Sequence, residues 1–198
     1  MIRTQIFIPF FALLYLFTFS SCFVIKTSDS KNRKMEYSVY NACLDSLLLN
    51  PKIGTEQMLV LMDSTRNFTG GASREARRIL SDSIAYELHL NYTKLNKTGN
   101  ELIDKKQLHS TKQILYYSEV FRILNTKNEK NYNENFWSEI HIKYPRIKYI
   151  VQLSKISFSK NGYFALLQIK QELDSIDSIS SQIYLKKEKN EWKIVFIK

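Results

Sequence analysis

Few residues in this chain have the type and spacing that catalysis needs. The three histidines, His89, His109 and His141, fall on separate expected elements, and no Gly-x-Ser-x-Gly, His-Glu-x-x-His or Cys-x-x-Cys occurs. The stretch whose side chains could act together is Asp63-Ser64-Thr65-Arg66, directly after the apolar run QMLVLM. An acidic residue at the end of a buried strand is where phosphoryl-transfer aspartates sit, but the second Asp that such sites use for a metal is missing. Gly70-Gly71 lacks the Gly-Lys-Ser/Thr ending of a phosphate-binding loop. What the stretch offers is a loop of hydroxyls and cations, Ser64, Thr65, Arg66 and Arg74, entering a helix capped by Ser73. Helix N-termini attract anions. Asp63, Ser64, Thr65 and Arg66 are therefore the candidate ligand loop, for a hydrolase-like enzyme or an anion-binding protein acting on a phosphate or sugar. The competing reading is a capped helix with a solvated basic flank. No catalytic residue, metal ligand set or cofactor is expected. His141, four residues after Trp137, reads as a histidine flanking an aromatic stripe, because no Cys or carboxylate stands at ligand spacing.

The elements that would position this loop begin after a targeting segment. Met1–Ser21 has a short n-region with Arg3, an apolar run and then small polar residues, the form of a secretory signal. It ends Phe19-Ser20-Ser21-Cys22, which resembles a bacterial lipobox: a signal peptidase cuts just before a Cys whose sulfur carries diacylglycerol. Phe19 stands where Leu is usual. The alternative is an uncleaved membrane anchor, since about 20 residues of this apolar character can span a bilayer. Either reading places the rest of the chain on the exported side of a bacterial cell envelope, held to the membrane. Residues 22–34 read as a polar tether and 35–198 as one α+β domain.

Within that domain, Val39, Tyr40, Cys43, Leu44, Leu47 and Leu48 recur at helical spacing, with Cys43 as a small buried residue on the apolar face. A second helix runs on from Ser73 with Ala76, Ile79, Leu80, Ile84 and Leu88 as its core stripe. A strand is expected near Gln113–Tyr117, then a short helix that Ser118 could cap. Phe136, Trp137, Ile140 and Tyr144 share one face of a further helix, which Pro145 ends. From Tyr149 the pattern is an antiparallel meander of about four strands, with a phase slip near Ser154-Lys155 that a bulge would absorb. Asn161-Gly162 marks a tight hairpin. The strand after it is apolar on both parities, as a central strand covered on both faces would be. Trp192, Ile194 and Phe196 alternate in the last strand and are expected on one side, opposite the helix bearing Phe136 and Trp137. The fold class is α+β: N-terminal helices on a C-terminal meander, with one or two earlier strands.

The segments FWSEIHIKYP, LSKISF, GYFALL and YLKKEKNEWKI resemble those of a family of uncharacterised small bacterial envelope lipoproteins. The shared pattern is a Trp and Tyr-Pro on a helix, Leu-Ser-x-Ile/Val-x-Phe, Ala-Leu, and a closing Lys-x-x-x-x-Trp-Lys-Ile/Val. The likeness is strongest over the last third. Where many members carry Cys and Gly between the last strands, this chain has SIDSISSQ. The resemblance implies an envelope location and carries no activity. With a net charge of +10 spread over scattered lysines, the expected partners are the membrane through the lipid anchor and an anionic surface or envelope protein. Nucleic acid is not expected, because the chain is exported. The reading preferred is a lipid-anchored, non-enzymatic binding or interaction domain.

Overall fold

The computed structural model describes residues 31–46, 58–67, 73–108, 114–124, 134–172 and 178–198. The signal-like segment 1–21 and Cys22 lie outside the described residues. Ser38–Lys198 forms one compact unit. A first helix, α1, covers 31–46, so residues 31–34 are helical, where a tether is expected.

The fold is α+β, built on a mixed sheet of seven strands among the described residues. Its strands are β1 (Met58–Leu61), β2 (Ile114–Tyr116), β3 (Ile147–Leu153), β4 (Ser157–Phe158), β5 (Phe164–Glu172), β6 (Ser178–Glu188) and β7 (Glu191–Ile197). The helices after α1 are α2 (Arg74–Leu80), α3 (Asp82–Leu95), α4 (Tyr117–Leu124) and α5 (Glu134–Lys143). The strand order is β2-β1-β3-β5-β6-β7, and β4 also pairs with β5. β1 runs parallel to both β2 and β3, whereas every pairing from β3 onward is antiparallel. The meander is thus the expected one, and the two earlier strands extend it in parallel.

One sheet face carries four helices. Val60, Ile147 and Ile150 pack against Val120 of α4 and against Trp137 and Ile140 of α5. Leu166 and Tyr184 pack against Ala76, Leu80, Leu88 and Tyr92 of α2 and α3. The opposite face meets α1: the Trp192 indole N–H donates to the Ser38 hydroxyl (3.0 Å), and Val39, Tyr40, Cys43 and Leu44 are buried. Burial pushes the Cys43 thiol far above its ordinary range, which suits the small-core role expected of it. Residues Ala165–Ile169 of β5 are buried on both parities because helices cover both sides.

Four local expectations change. The helix from Ser73 is two helices, broken at Ser81 (φ +78°), and Ile79 points to solvent instead of joining the core stripe. Ser73 does cap α2, its hydroxyl accepting from the N–H groups of Glu75 and Ala76. The Asn161-Gly162 turn has only Gly162 at positive φ, with the Gly162 N–H donating to the Ser159 carbonyl (2.8 Å). It is therefore a longer loop than a two-residue hairpin. In β7 the register shifts opposite Tyr184 and Leu185: Ile194 pairs with Leu185, and Phe196 with Tyr184. This extra residue puts Phe196 on the α2–α3 side and leaves Trp192 and Ile194 on the α1 side. Trp192 faces α1, not α5, whose Trp137 packs on β1 and β3. The Phe136 side chain lies outside the described residues.

The bulge near Ser154-Lys155 is present. Between Leu153 and Ser157 the strand advances four residues while its partner advances three, Ile169 to Leu166. Ser154 repairs the ladder: its N–H donates to the Gln168 carbonyl (2.9 Å), and its hydroxyl accepts the Gln168 N–H (2.8 Å). Among the described residues, no helix is long and apolar enough to cross a membrane.

Candidate functional site

The parallel strands β1, β2 and β3 end on the same side of the sheet, where α/β folds place ligands. There the chain brings together the segments after each strand: Asp63–Arg66 after β1, Tyr117–Ser118 after β2, and Ser154–Lys155 after β3. A strap across them, Glu101–Gln107, comes from the connection following α3.

Asp63 is the centre of one cluster. Its Oδ2 accepts the Ser118 N–H and its Oδ1 accepts the Ser118 hydroxyl, both at 2.7 Å. The carboxylate thereby satisfies an orphan donor in the first turn of α4, where a negative charge also suits the helix dipole. Ser118 is the donor to a distant cap and does not itself cap the helix. Lys105 Nζ lies 3.2 Å from Asp63 Oδ1 and 3.0 Å from Glu119 Oε1, above the Tyr116 ring (4.0 Å to its centre). Partial burial pushes the Asp63 carboxyl up, but the Ser118 bonds and Lys105 outweigh it and hold the group below the usual carboxylate range.

Thr65 and Ser64 belong to a second cluster. The Thr65 N–H donates to the Glu101 carbonyl (2.8 Å) and the Glu101 N–H donates to the Thr65 hydroxyl (2.9 Å). Ser64 bridges Leu102, and the Ile103 N–H donates to the Asp63 carbonyl (2.8 Å). The Lys155 side chain, only 5% exposed, ends between Glu101 Oε1 (2.8 Å) and the Thr98 hydroxyl (2.6 Å). Arg66 has its N–H on the Leu153 carbonyl (2.8 Å) and its residue is exposed.

The four expected loop residues thus diverge. Asp63 turns to α4, Thr65 is buried against the strap, Ser64 sits in a strand-like bridge and Arg66 faces solvent. The arrangement fastens three loops to one another, and its charges are spent on one another. Among the described residues, no group of three His, Cys, Asp or Glu could hold a metal ion.

No family model matches the chain, and neither a curated protein nor a solved structure does. The chemistry therefore has to be read from the chain's own geometry.

A third polar cluster lies beneath α3, and the sequence does not point to it as a unit. His89 Nε2 is 2.6 Å from the Tyr184 hydroxyl, which also donates to Gln182 Oε1 (3.3 Å). The Tyr92 hydroxyl donates to Gln168 Oε1 (3.0 Å). All five residues are buried, and burial pushes the Tyr184 phenol up to about 12. A His–Tyr pair could move a proton, but a substrate would have to pass α3 to reach it. The pair instead fixes the register of α3 on β5 and β6, since each polar atom buried there needs its partner. The available sequence signal was Gln168 and Gln182, polar residues at core parity in apolar strands. The other histidine described, His141, is exposed with its ring 5.6 Å from that of Trp137, in the flanking role expected.

Proposed function

We propose that the chain is a lipid-anchored protein of the bacterial cell envelope, on the exported side, whose folded unit works as a non-enzymatic binding or interaction domain. The observation that carries the non-enzymatic reading is the engagement of Asp63. A carboxylate holding both the amide and the hydroxyl of Ser118, with Lys105 against it, is already engaged by the fold in a structural task. The anchor is supported by Phe19-Ser20-Ser21-Cys22 at the end of an apolar run, and by the resemblance of the last third to envelope lipoproteins.

Two measurements test this. Labelled fatty acid should enter the protein in growing cells, and Cys22→Ala should abolish the label. Membrane retention of an unlabelled, full-length chain would replace the lipid with an uncleaved anchor. Aryl phosphate and glycoside substrates should be cleaved no faster by wild type than by Asp63→Asn at equal folded fraction. A clear wild-type excess would restore the hydrolase reading with Asp63, Thr65 and Arg66.

A further inference from the structure

α2 and α3 turn Ala76, Leu80, Leu88 and Tyr92 onto the sheet, so their opposite stripes face outward on one layer. On α2 that outer stripe holds Arg74, Arg77 and Arg78, all exposed and spaced so that their guanidiniums share one side. On α3 it holds Tyr86, 65% exposed, and Leu90, 43% exposed, one turn apart, with exposed Lys94 a turn further on. Exposed carboxylates on the two helices are Glu75 and Asp82, against four exposed cations.

A solvated helix face would carry polar residues at the positions of Tyr86 and Leu90. Cations beside an exposed aromatic and an exposed aliphatic side chain are instead the composition of a surface that settles into lipid headgroups. Arginine pairs with phosphate oxygens, and the apolar side chains enter the boundary with the acyl chains. We infer that the outer α2–α3 face docks on an anionic, phosphate-bearing bilayer surface. The inference rests on the lipid-anchored reading, because a short tether makes the contact intramolecular, and a weak docking surface then suffices. The chain's net charge of +10 favours the same partner.

The test uses the full lipidated protein with Thr93→Cys, an exposed position on the same stripe, carrying an environment-sensitive fluorophore. Cys43 is buried with its thiol pushed up, so it does not compete for the label. Flotation with phosphatidylcholine vesicles reports the anchor, and the fluorophore reports the face. The expected result is flotation with both neutral and phosphatidylglycerol-containing vesicles. Only the latter should give a blue shift and protection from an aqueous quencher, and high salt should reverse both. Replacing all three arginines by Gln should cut the docked-to-undocked ratio by about a hundredfold without changing flotation, as expected for three surface cations. A fluorophore that reports the same environment on neutral and anionic vesicles overturns the inference. So does one that responds only to a soluble anionic polysaccharide. Loss of flotation on neutral vesicles with a retained response to anionic ones removes the anchor and leaves the docking face standing.

Discussion

The two halves of the sheet are held in different ways. In the antiparallel half, β5, β6 and β7 are neighbours both in sequence and in the sheet, and the β5–β6 pairing is continuous from Phe164–Lys186 to Glu172–Ser178. Apolar side chains fill both faces there, and the polar groups inside pair side chain to side chain, as in the His89–Tyr184 and Tyr92–Gln168 pairs. In the parallel half, β1 takes its neighbours from far along the chain, Leu59 pairing with both Ile114 and Tyr149. Its strand ends are fastened by side-chain clasps, two of which use a charged group: Asp63 to Ser118, Thr65 to Glu101, and Lys155 to Glu101. Local pairing needs only packing to hold it, whereas non-local parallel strands carry a larger loop-closure cost, and side-chain clasps offset part of it.

The largest effect should come from the antiparallel half. Trp192→Ala removes a buried indole from between α1 and the sheet and should cost about 3–5 kcal/mol, against a total of about 5–15 kcal/mol for a domain. Denaturant unfolding would show it, and a midpoint close to wild type would mean that α1 does not cover that face. A smaller loss is expected for Tyr184→Phe, about 1–3 kcal/mol, since it strips the buried partner from His89. This variant also carries a pH signature. The phenol's folded value, about 12, lies above its ordinary 10.0, so the folded state keeps a proton that the unfolded state releases. Wild type should lose stability as pH rises from 10.0 towards 12, and Tyr184→Phe should remove that component of the fall. An unchanged alkaline slope would contradict the buried phenol. Lys193→Ala, on an exposed position of the edge strand, should shift the melting temperature by no more than a degree or so. A large shift there would give the edge an energetic role that the comparison denies it.

The antiparallel half is also the legible one. Period-2 alternation and Asn161-Gly162 mark its strands, and the phase slip at Ser154-Lys155 announces a bulge, because each of these signals is local. The bulge in β7 leaves no such mark. Trp192, Ile194 and Phe196 alternate perfectly, and the extra residue exists only relative to β6. The parallel pairing of β1 is equally silent, since QMLVLM is apolar on both parities and nothing in it names a neighbour. At the candidate loop, residue type and position mark Asp63 correctly as a carboxylate at a strand end. What it binds is set by a serine 55 residues away, and no spacing rule links the two. Ser81 breaks the helix after Leu80 by adopting a φ of +78°, which a β-carbon ordinarily disfavours, so the continuous stripe through Ile79 misleads.

The most direct test of the clasp is the stability of wild type and Asp63→Asn measured across pH by denaturant unfolding. The folded carboxyl lies below its ordinary value of 3.8, so its contribution is fully present above that pH and is lost as pH falls through the folded value. Near neutrality the variant should be less stable by about 1–2 kcal/mol, the worth of a charged helix cap, with an unchanged denaturant slope. The gap should close as pH drops below 3.8. A variant as stable as wild type near neutrality, with no pH-dependent gap, would mean that Asp63 does not hold α4, and its carboxylate would then be available to a ligand.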